Sequence, residues 1–413
     1  MAVLALFAAG CGRSDQKRVA ADIAGTAAVQ VSPQGAKAAE SALAATANGG
    51  AYILYVEHHE KGGDLYLQTL DANARPAGER VRINERPDAV KAWKGDPPTI
   101  AVASDGAIFV GWTRRYEDEN AKGSDLVLSV SRDGGRTFAP AIKVNDDDKP
   151  ASHGMHSLAL GRDGRVIMAW LDERDLKAPL PDMSKMTAAM HHDEGEPNSE
   201  VWMAFSDDGG KTFSKNEKLA GEACPCCKTS LLAAADGNVY AAWRQVLEGD
   251  FRHIAVANSK DGGRSFSPGV VVSDDNWQLR ACPVSGAALA SGEKDEVEVI
   301  WYTAGAAGPA GLYFTHSHDA GKTFDQREMI SDTAKNGTPV FVRTGERALG
   351  IFNERDGAVK VLGITGHGSP QTGVDLAGAS EASAAVISGG KLVATFTKTA
   401  GDASSVWAEV IAL

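Results

Sequence analysis

The chain predicts an all-β fold of repeated four-stranded blades, a β-propeller, and three observations point that way. One eight-residue turn occurs four times, as Ser131-Arg-Asp-Gly-Gly-Arg-Thr-Phe138, Ser206-Asp-Asp-Gly-Gly-Lys-Thr-Phe213, Ser259-Lys-Asp-Gly-Gly-Arg-Ser-Phe266 and Ser317-His-Asp-Ala-Gly-Lys-Thr-Phe324. A hairpin closing on a large aromatic residue occurs seven times, at Tyr55, Trp112, Trp170, Trp243, Trp301, Phe352 and Phe396, so the closing residues stand 44 to 73 positions apart. The 413 residues are 43% hydrophobic and include 45 glycines, a composition suited to many short strands joined by tight turns. A repeat of that length holds four strands, and repeats of that kind close into propellers.

The N-terminus comes first. Met1 to Ala9 is apolar, Ala8-Ala-Gly-Cys11 follows, and Gly12-Arg-Ser-Asp15 is polar. This resembles a bacterial lipoprotein signal, which implies cleavage before Cys11, acylation of its thiol, and an exported protein in the periplasm or at the outer membrane. Residues 1–10 are then a signal segment, 11–23 a tether, and 24–413 a single propeller domain. No stretch is long and apolar enough for a membrane-spanning helix, so the anchor is the expected membrane contact. A net charge of −12 argues against nucleic acid as a partner.

The blades follow in order. Alternating apolar strands around an Asp-Gly turn, as in Pro98–Trp112, form a hairpin signal. Third strands are predicted at 64–70, 125–130, 200–205, 253–257, 312–315, 358–364 and 405–411. Fourth strands fit after the first six, for example at 141–144 and 269–272. The last repeat runs out of chain before its fourth strand. Thr26–Ser32 has a strand pattern without a hairpin, so it is expected to supply that outer strand and close the ring. The count gives seven blades.

The repeated turn has a mechanical logic. Its Asp (Asp133, Asp208, Asp261 and Asp319) accepts backbone N–H bonds within the turn. The Gly pair supplies positive φ, and the Phe packs back onto the sheet. The pattern S-x-D-[GA]-G-x-[ST]-F resembles the Asp-box, or BNR repeat, of sialidases and related propellers. That resemblance implies six blades, against the seven counted, and a glycosidase mechanism with a tyrosine nucleophile, a glutamate partner and an aspartate acid/base. No such set is assignable. Tyr116 and Tyr302 sit in suitable loops without a clear partner, and Asp172, Glu173 and Glu354 are acids without a defined role. The Asp-boxes mark a fold, and their four aspartates are structural.

Loops that lead into the first strand, and those between the second and third, open on the face opposite the Asp-boxes. Ala223-Cys-Pro-Cys-Cys-Lys228, Ala281-Cys-Pro283 and His153-Gly-Met-His156 all lie there. An insertion adds Met183, Met186, Met190, His191 and His192, and the first blade adds His58 and His59. Cys224, Cys226, Cys227, Cys282, His153 and His156 fit either of two chemistries. Four cysteines besides Cys11 suit disulfides in an oxidising compartment, with Cys282 bridged to Cys224, Cys226 or Cys227. Thiols, thioethers and imidazoles also suit a soft metal, copper or zinc. The C-P-C-C loop and Ala-Cys-Pro-Val-Ser-Gly286 also resemble a group of bacterial exported sialidase-like proteins.

Arginines gather on the same face: Arg114-Arg115, Arg174, Arg244 and Arg355. Of these, Arg115, Arg174, Arg244 and Arg355 are candidates to grip an anion, as the arginine triad of sialidases grips a carboxylate. Ion pairing with Asp172, Glu173 and Glu354 is the alternative. The function expected is therefore a lipid-anchored binding propeller of the cell envelope that takes an anionic glycan, a protein partner or a metal. A glycoside hydrolase acting on acidic sugars and an envelope copper protein are the alternatives.

Overall fold

The structure is a computed structural model and describes residues 23–118, 120–176, 198–345, 347–365 and 370–413. Among these residues no α-helix forms, and strands alternate with turns throughout. Two short strands, β1 (Ala24–Gly25) and β2 (Val29–Gln30), precede a series of antiparallel units. The first unit holds β3 (Ala38–Ala45), β4 (Ala51–His58), β5 (Gly63–Leu70) and β6 (Pro76–Arg82). The second holds β7 (Thr99–Val102), β8 (Ile108–Arg114), β9 (Asp125–Ser131) and β10 (Ile142–Lys143). The third holds β11 (His153–Leu160), β12 (Val166–Asp172), β13 (Ser199–Ser206) and β14 (Glu217–Ala223). The fourth holds β15 (Ser230–Ala233), β16 (Val239–Leu247), β17 (Phe251–Ser259) and β18 (Val270–Val271).

The fifth holds β19 (Ala287–Ala290), β20 (Val297–Thr303), β21 (Gly311–Ser317) and β22 (Glu328–Ser331). The sixth holds β23 (Val340–Thr344), β24 (Arg347–Asn353), β25 (Val359–Ile364) and β26 (Pro370–Leu376). The last has β27 (Ser380–Ile387), β28 (Lys391–Ala400) and β29 (Ala403–Ala412), and both β1 and β2 pair with β29. Each unit is a meander in chain order. Units three and four are also joined directly, where Ala223 pairs with Gln245.

The N-terminal segment pairs with the last unit as expected, but as two strands. Ala24 faces Ala412 and Gly25 faces Ile411, whereas Val29 faces Ala408 and Gln30 faces Trp407. The register slips by one residue between them, as a bulge requires. The Ser32 hydroxyl continues the ladder by accepting from Val406 N–H at 3.0 Å.

Packing explains the aromatic period. Tyr55, Trp112, Trp170, Trp243, Trp301, Phe352 and Phe396 all sit on second strands and are all buried. A second strand such as β12 is buried at every position, because both of its faces meet neighbouring sheets, so it reads as a continuous apolar run. Neighbouring units share apolar clusters. Leu54 and Leu67 of the first meet Ile108 and Trp112 of the second, and Phe109 and Leu128 of the second meet Met168 and Trp170 of the third. Tyr240 and Val256 of the fourth meet Val299 and Trp301 of the fifth. Leu349 and Ile351 of the sixth meet Leu392 and Phe396 of the last, whose Val393 and Val406 pack on Ile53 and Tyr55 of the first. First strands touch in the same order, β3 on β7, β7 on β11, and onward to β27, which touches β3.

Candidate functional site

Strand register separates two edges. Within a unit, the start of the first strand lies beside the end of the second: His153 faces Asp172, and Ala38 faces Glu57. At the other edge, the end of the third strand faces the start of the second, as Ser131 faces Ile108, Ser206 faces Val166, Ser259 faces Val239 and Ser317 faces Val297. All four Asp-boxes leave from this second edge. The cysteine and histidine loops leave from the first.

The Asp-boxes are built as their sequence requires. In the third, the Asp261 carboxylate accepts from Ser259 Oγ at 2.7 Å, from the N–H groups of Arg264 and Ser265 at 3.0 Å each, and from Ser265 Oγ at 2.5 Å. Burial alone would raise the Asp261 carboxyl, but these donors hold it at about 2. Asp133 and Asp319, held by their own turns, also sit near 2. Each Gly pair has positive φ, from 71° to 87°. In the fourth box Ala320 takes φ 62° in place of glycine while its methyl is buried in the core between units four and five. The second glycine also allows close approach to the preceding unit. A Cβ on Gly135 would lie 2.4 Å from Leu67, one on Gly210 2.8 Å from Leu128, and one on Gly263 2.6 Å from Ile167. The boxes therefore lock neighbouring units together.

The arginines are each engaged separately. Arg174 donates to Asp172 at 2.8 and 3.0 Å, to Asp146 at 2.6 Å and to Asn216 at 2.8 Å, and lies over the Trp202 ring. Arg244 is fully buried and donates to three backbone carbonyls, those of Ser285, Arg252 and Tyr302. Arg114 donates to Asp125, and the exposed Arg115 donates to the Lys61 carbonyl. Arg355 is exposed and reaches the Ala334 and Ala310 carbonyls at 3.5 Å. Among the described residues, no partner is common to any two of Arg115, Arg174, Arg244 and Arg355. The expected ion pairing is found at Arg174–Asp172, but Glu354 accepts from Thr333 and Lys360 rather than from Arg355. Of the candidate nucleophiles, Tyr116 is likewise committed. Tyr116 donates to the Ala151 carbonyl at 2.8 Å, and burial pushes its phenol up to about 12. Tyr302 packs edge-on against Trp277.

The cysteines meet at the first edge, between units three and four. Cys226 and Cys282 form a disulfide, while Cys224 and Cys227 are free and buried. One staple thus uses two of the four. Met155, the residue before His156, packs in the same cluster with Trp93 beside it. The two histidines turn elsewhere. His153 shares Nδ1 with the Ser124 carbonyl at 2.8 Å, and its Nε2 lies 3.1 Å from Asp147 and 3.5 Å from Asp172. His156 Nδ1 lies 3.1 Å from Asp96. Neither imidazole joins the sulfur cluster, because a buried carboxylate holds each one. Met183, Met186, Met190, His191 and His192 lie outside the described residues, as does Cys11.

A group missed by the sequence reading occupies the same edge. Glu40 and Glu381 sit inside the first strands β3 and β27, at bulges where φ is 48° and 53°. Positive φ at non-glycine residues is a strain that concentrates at functional sites. His58 Nε2 is bonded to Glu40, and this bond raises the imidazole above its ordinary value. Burial, then the Glu40 charge, pushes the Glu381 carboxyl up to about 7, against the opposing charges of Lys94 and His58. Two residues past Lys94, Asp96 accepts from Thr113 at 2.7 Å and faces His156. Lys228 follows the C-P-C-C loop; burial draws its ammonium down to about 8, and the Asp96 charge resists. Burial also lifts Glu173 to about 7. The available signal was an acid within a strand of small residues, Ala-Ala-Glu-Ser-Ala and Ser-Glu-Ala-Ser. A cavity of about 430 Å³ opens at the Asp-box edge, beside Arg165 and Asp261; it lies away from this chemistry, and Arg165 there is held by Asp207.

Comparison with known proteins agrees on the fold. The BNR repeat-like domain matches residues 94–339, more than half of the chain. No curated protein matches it in sequence. Among solved structures, the Hadza microbial sialidase Hz136 aligns with a TM-score of 0.53 at 12% identity, over 85% of this chain and 74% of that one. The leech intramolecular trans-sialidase aligns with a TM-score of 0.51 at 10% identity, over 94% and 92%. The polysaccharide lyase Uly1 gives 0.52 at 12%, over 90% and 89%. Two reaction types on one fold show that the fold does not choose the chemistry. The chain belongs to the BNR repeat-like domain family and has its sialidase-like all-β fold.

Proposed function

We propose that the chain is a seven-bladed propeller that binds a glycan across the edge opposite its Asp-boxes. The unbroken order of first-strand contacts, with β27 returning to β3, supports seven blades and closure by the N-terminal segment. One observation carries the binding reading. At that edge Trp93, Lys94 and Asp96 lie close together along one connection: the half-buried Trp93 ring packs beside the sulfur cluster, the Lys94 charge acts on Glu381 next to Glu40, and the Asp96 charge acts on Lys228. An apolar face flanked by a few converging polar groups suits a sugar, which offers C–H faces and hydroxyls together. The sialidases that share the fold give the same indication of ligand class. Export and anchoring through Cys11 complete the reading, so the ligand would be met in the cell envelope.

Titration calorimetry of the full chain with 3′-sialyllactose and with lactose tests the proposal. Binding weakened tenfold or more by Trp93→Ala or Lys228→Ala supports it, and absence of binding to both sugars and to longer acidic oligosaccharides overturns it. A second reading, glycoside hydrolysis, is favoured by Glu381 and by the sialidases that share the fold. A carboxyl near 7 that feels a second carboxylate, Glu40, has the character of a general acid paired with a base or nucleophile. Turnover of an aryl glycoside that is lost in Glu381→Gln would establish it.

A further inference from the structure

We propose that the sulfur cluster between units three and four is a thiol–disulfide exchange site in which Cys224 attacks Cys226, Cys282 leaves, and Cys227 resolves the product. Cys224 Sγ lies 3.8 Å from Cys226 Sγ, itself already bonded to Cys282. The sulfurs of Cys224, Cys226 and Cys227 all lie within 4.8 Å of one another. Cys224 and Cys227 have the C-x-x-C spacing of dithiol redox motifs, and a turn brings them together, with Cys227 N–H donating to the Cys224 carbonyl at 3.3 Å. Two free thiols beside one disulfide, all buried, are an unusual store of reactivity for a purely structural staple.

The surroundings favour a thiolate and disfavour a bound cation. Arg252 Nη1 donates to Cys224 Sγ at 2.9 Å, and the fully buried Arg244 adds a second positive charge. Burial alone would raise the Cys224 thiol, but Cys227, Arg252 and Arg244 together bring it down to about 5. Burial and the neighbouring Cys224 push Cys227 well above its ordinary value. A soft cation placed here would face both guanidinium groups, so the cluster suits exchange better than metal binding.

The exchange is balanced without an external oxidant. The Cys224 thiolate forms a bond to Cys226 Sγ as the Cys226–Cys282 bond breaks, and Cys282 departs as a thiolate. Cys282 takes the Cys227 proton. The Cys227 thiolate then attacks Cys224 Sγ, forming Cys224–Cys227 and releasing Cys226 as the thiolate. One disulfide and two thiol groups exist at every stage. The outcome frees the connection between β18 and β19 from the loop that carries Lys228. The proposal does not depend on the glycan reading.

Disulfide mapping tests it. The full chain is held at neutral pH without reductant, quenched and unfolded in acid, alkylated with N-ethylmaleimide, and digested for mass spectrometry. The expected result is a measurable fraction with Cys282 alkylated and Cys224 bridged to Cys226 or Cys227. Cys224→Ser abolishes that fraction. Cys227→Ala, which leaves the Arg252 contact to Cys224 in place, stops the exchange at Cys224–Cys226. Wild-type protein carrying Cys226–Cys282 alone, with Cys224 and Cys227 both alkylated, overturns the proposal.

Discussion

Glu381 and Glu40 occupy corresponding bulges on β27 and β3, two first strands in contact, and both take positive φ, 53° and 48°. The Glu40 charge, after burial, raises the Glu381 carboxyl from 4.5 to about 7, while Lys94 and His58 oppose it. In that window the folded state holds a proton that the unfolded chain has lost, so stability falls as pH rises from about 4.5 to about 7. Glu381→Gln should remove the loss. Urea unfolding should find the variant more stable than wild type above pH 7, by roughly 2 kcal/mol after allowing for solvent. Below the ordinary carboxyl range the two should agree. A parallel offset at every pH would show that Glu381 does not titrate as described.

The Asp-box prediction concerns acid. Asp261 is held at about 2 by hydrogen bonds from its own turn, against 3.8 for the free group. A depressed carboxyl contributes stability above its unfolded value and loses it as pH falls through the folded one. Asp261→Ala should cost about 1–2 kcal/mol at neutral pH, and the deficit should close as both proteins approach pH 2. Acid titration followed by circular dichroism reads this directly.

Gly263→Ala separates the turn from the interface it fastens. The new methyl would meet Ile167 Cδ1 at 2.6 Å in the preceding unit, on a backbone with φ 87°. Both effects destabilise, together by roughly 2–3 kcal/mol. Gly237→Ala has a similar φ of 94° and nothing within 4 Å of the added atom, so it should cost only about 1 kcal/mol. Equal losses in thermal unfolding would remove the packing role assigned to the Asp-box.

Much of the scaffold could be read from residues because its causes are local. The Asp-Gly-Gly turns need positive φ, and the second strands are apolar on both faces, so turns and closing aromatics appear in one dimension. The site was less legible. Arg174 and Arg244 were visible as charges, but several of their partners come from distant segments: Asn216 lies in the next connection, Ser285 in the connection to the fifth unit, and Tyr302 in that unit. The disulfide was foreseen as one of three pairings to Cys282, because spacing alone does not decide which sulfur of C-P-C-C faces it. Glu40 and Glu381 were passed over since a period-two pattern assigns no meaning to an acid at a bulge.

Arg244→Lys tests whether that guanidinium is structural. Its three carbonyl partners lie in units four and five and in the connection between them, and a lysine cannot reach all of them from one nitrogen. Buried carbonyls left without donors should make the loss about 3 kcal/mol or more. An anion-binding Arg244 predicts the reverse pattern: near-native stability with ligand affinity gone. Urea unfolding and calorimetry on the same variant distinguish the two.

Asp172 is the last case, and it joins three neighbours at full burial. Trp170 Nε1 donates to it at 2.7 Å, Arg174 Nε and Nη2 at 3.0 and 2.8 Å, and the Arg174 backbone N–H at 2.8 Å, with His153 Nε2 at 3.5 Å. Asp172→Asn keeps the shape but turns one acceptor into a donor facing a guanidinium, which should cost on the order of 3–5 kcal/mol. The variant should also change the response to pH. Burial alone would lower the His153 imidazole, yet Asp147 and Asp172 together hold it above 6.5. A raised histidine contributes stability that is complete below its unfolded value and lost as pH rises through the folded one. Losing the Asp172 charge should therefore move that loss to lower pH, while Asp147, 3.1 Å from the same nitrogen, keeps part of the effect. Following the imidazole by NMR in both proteins measures the shift, and an unchanged His153 titration would show that Asp147 alone sets it.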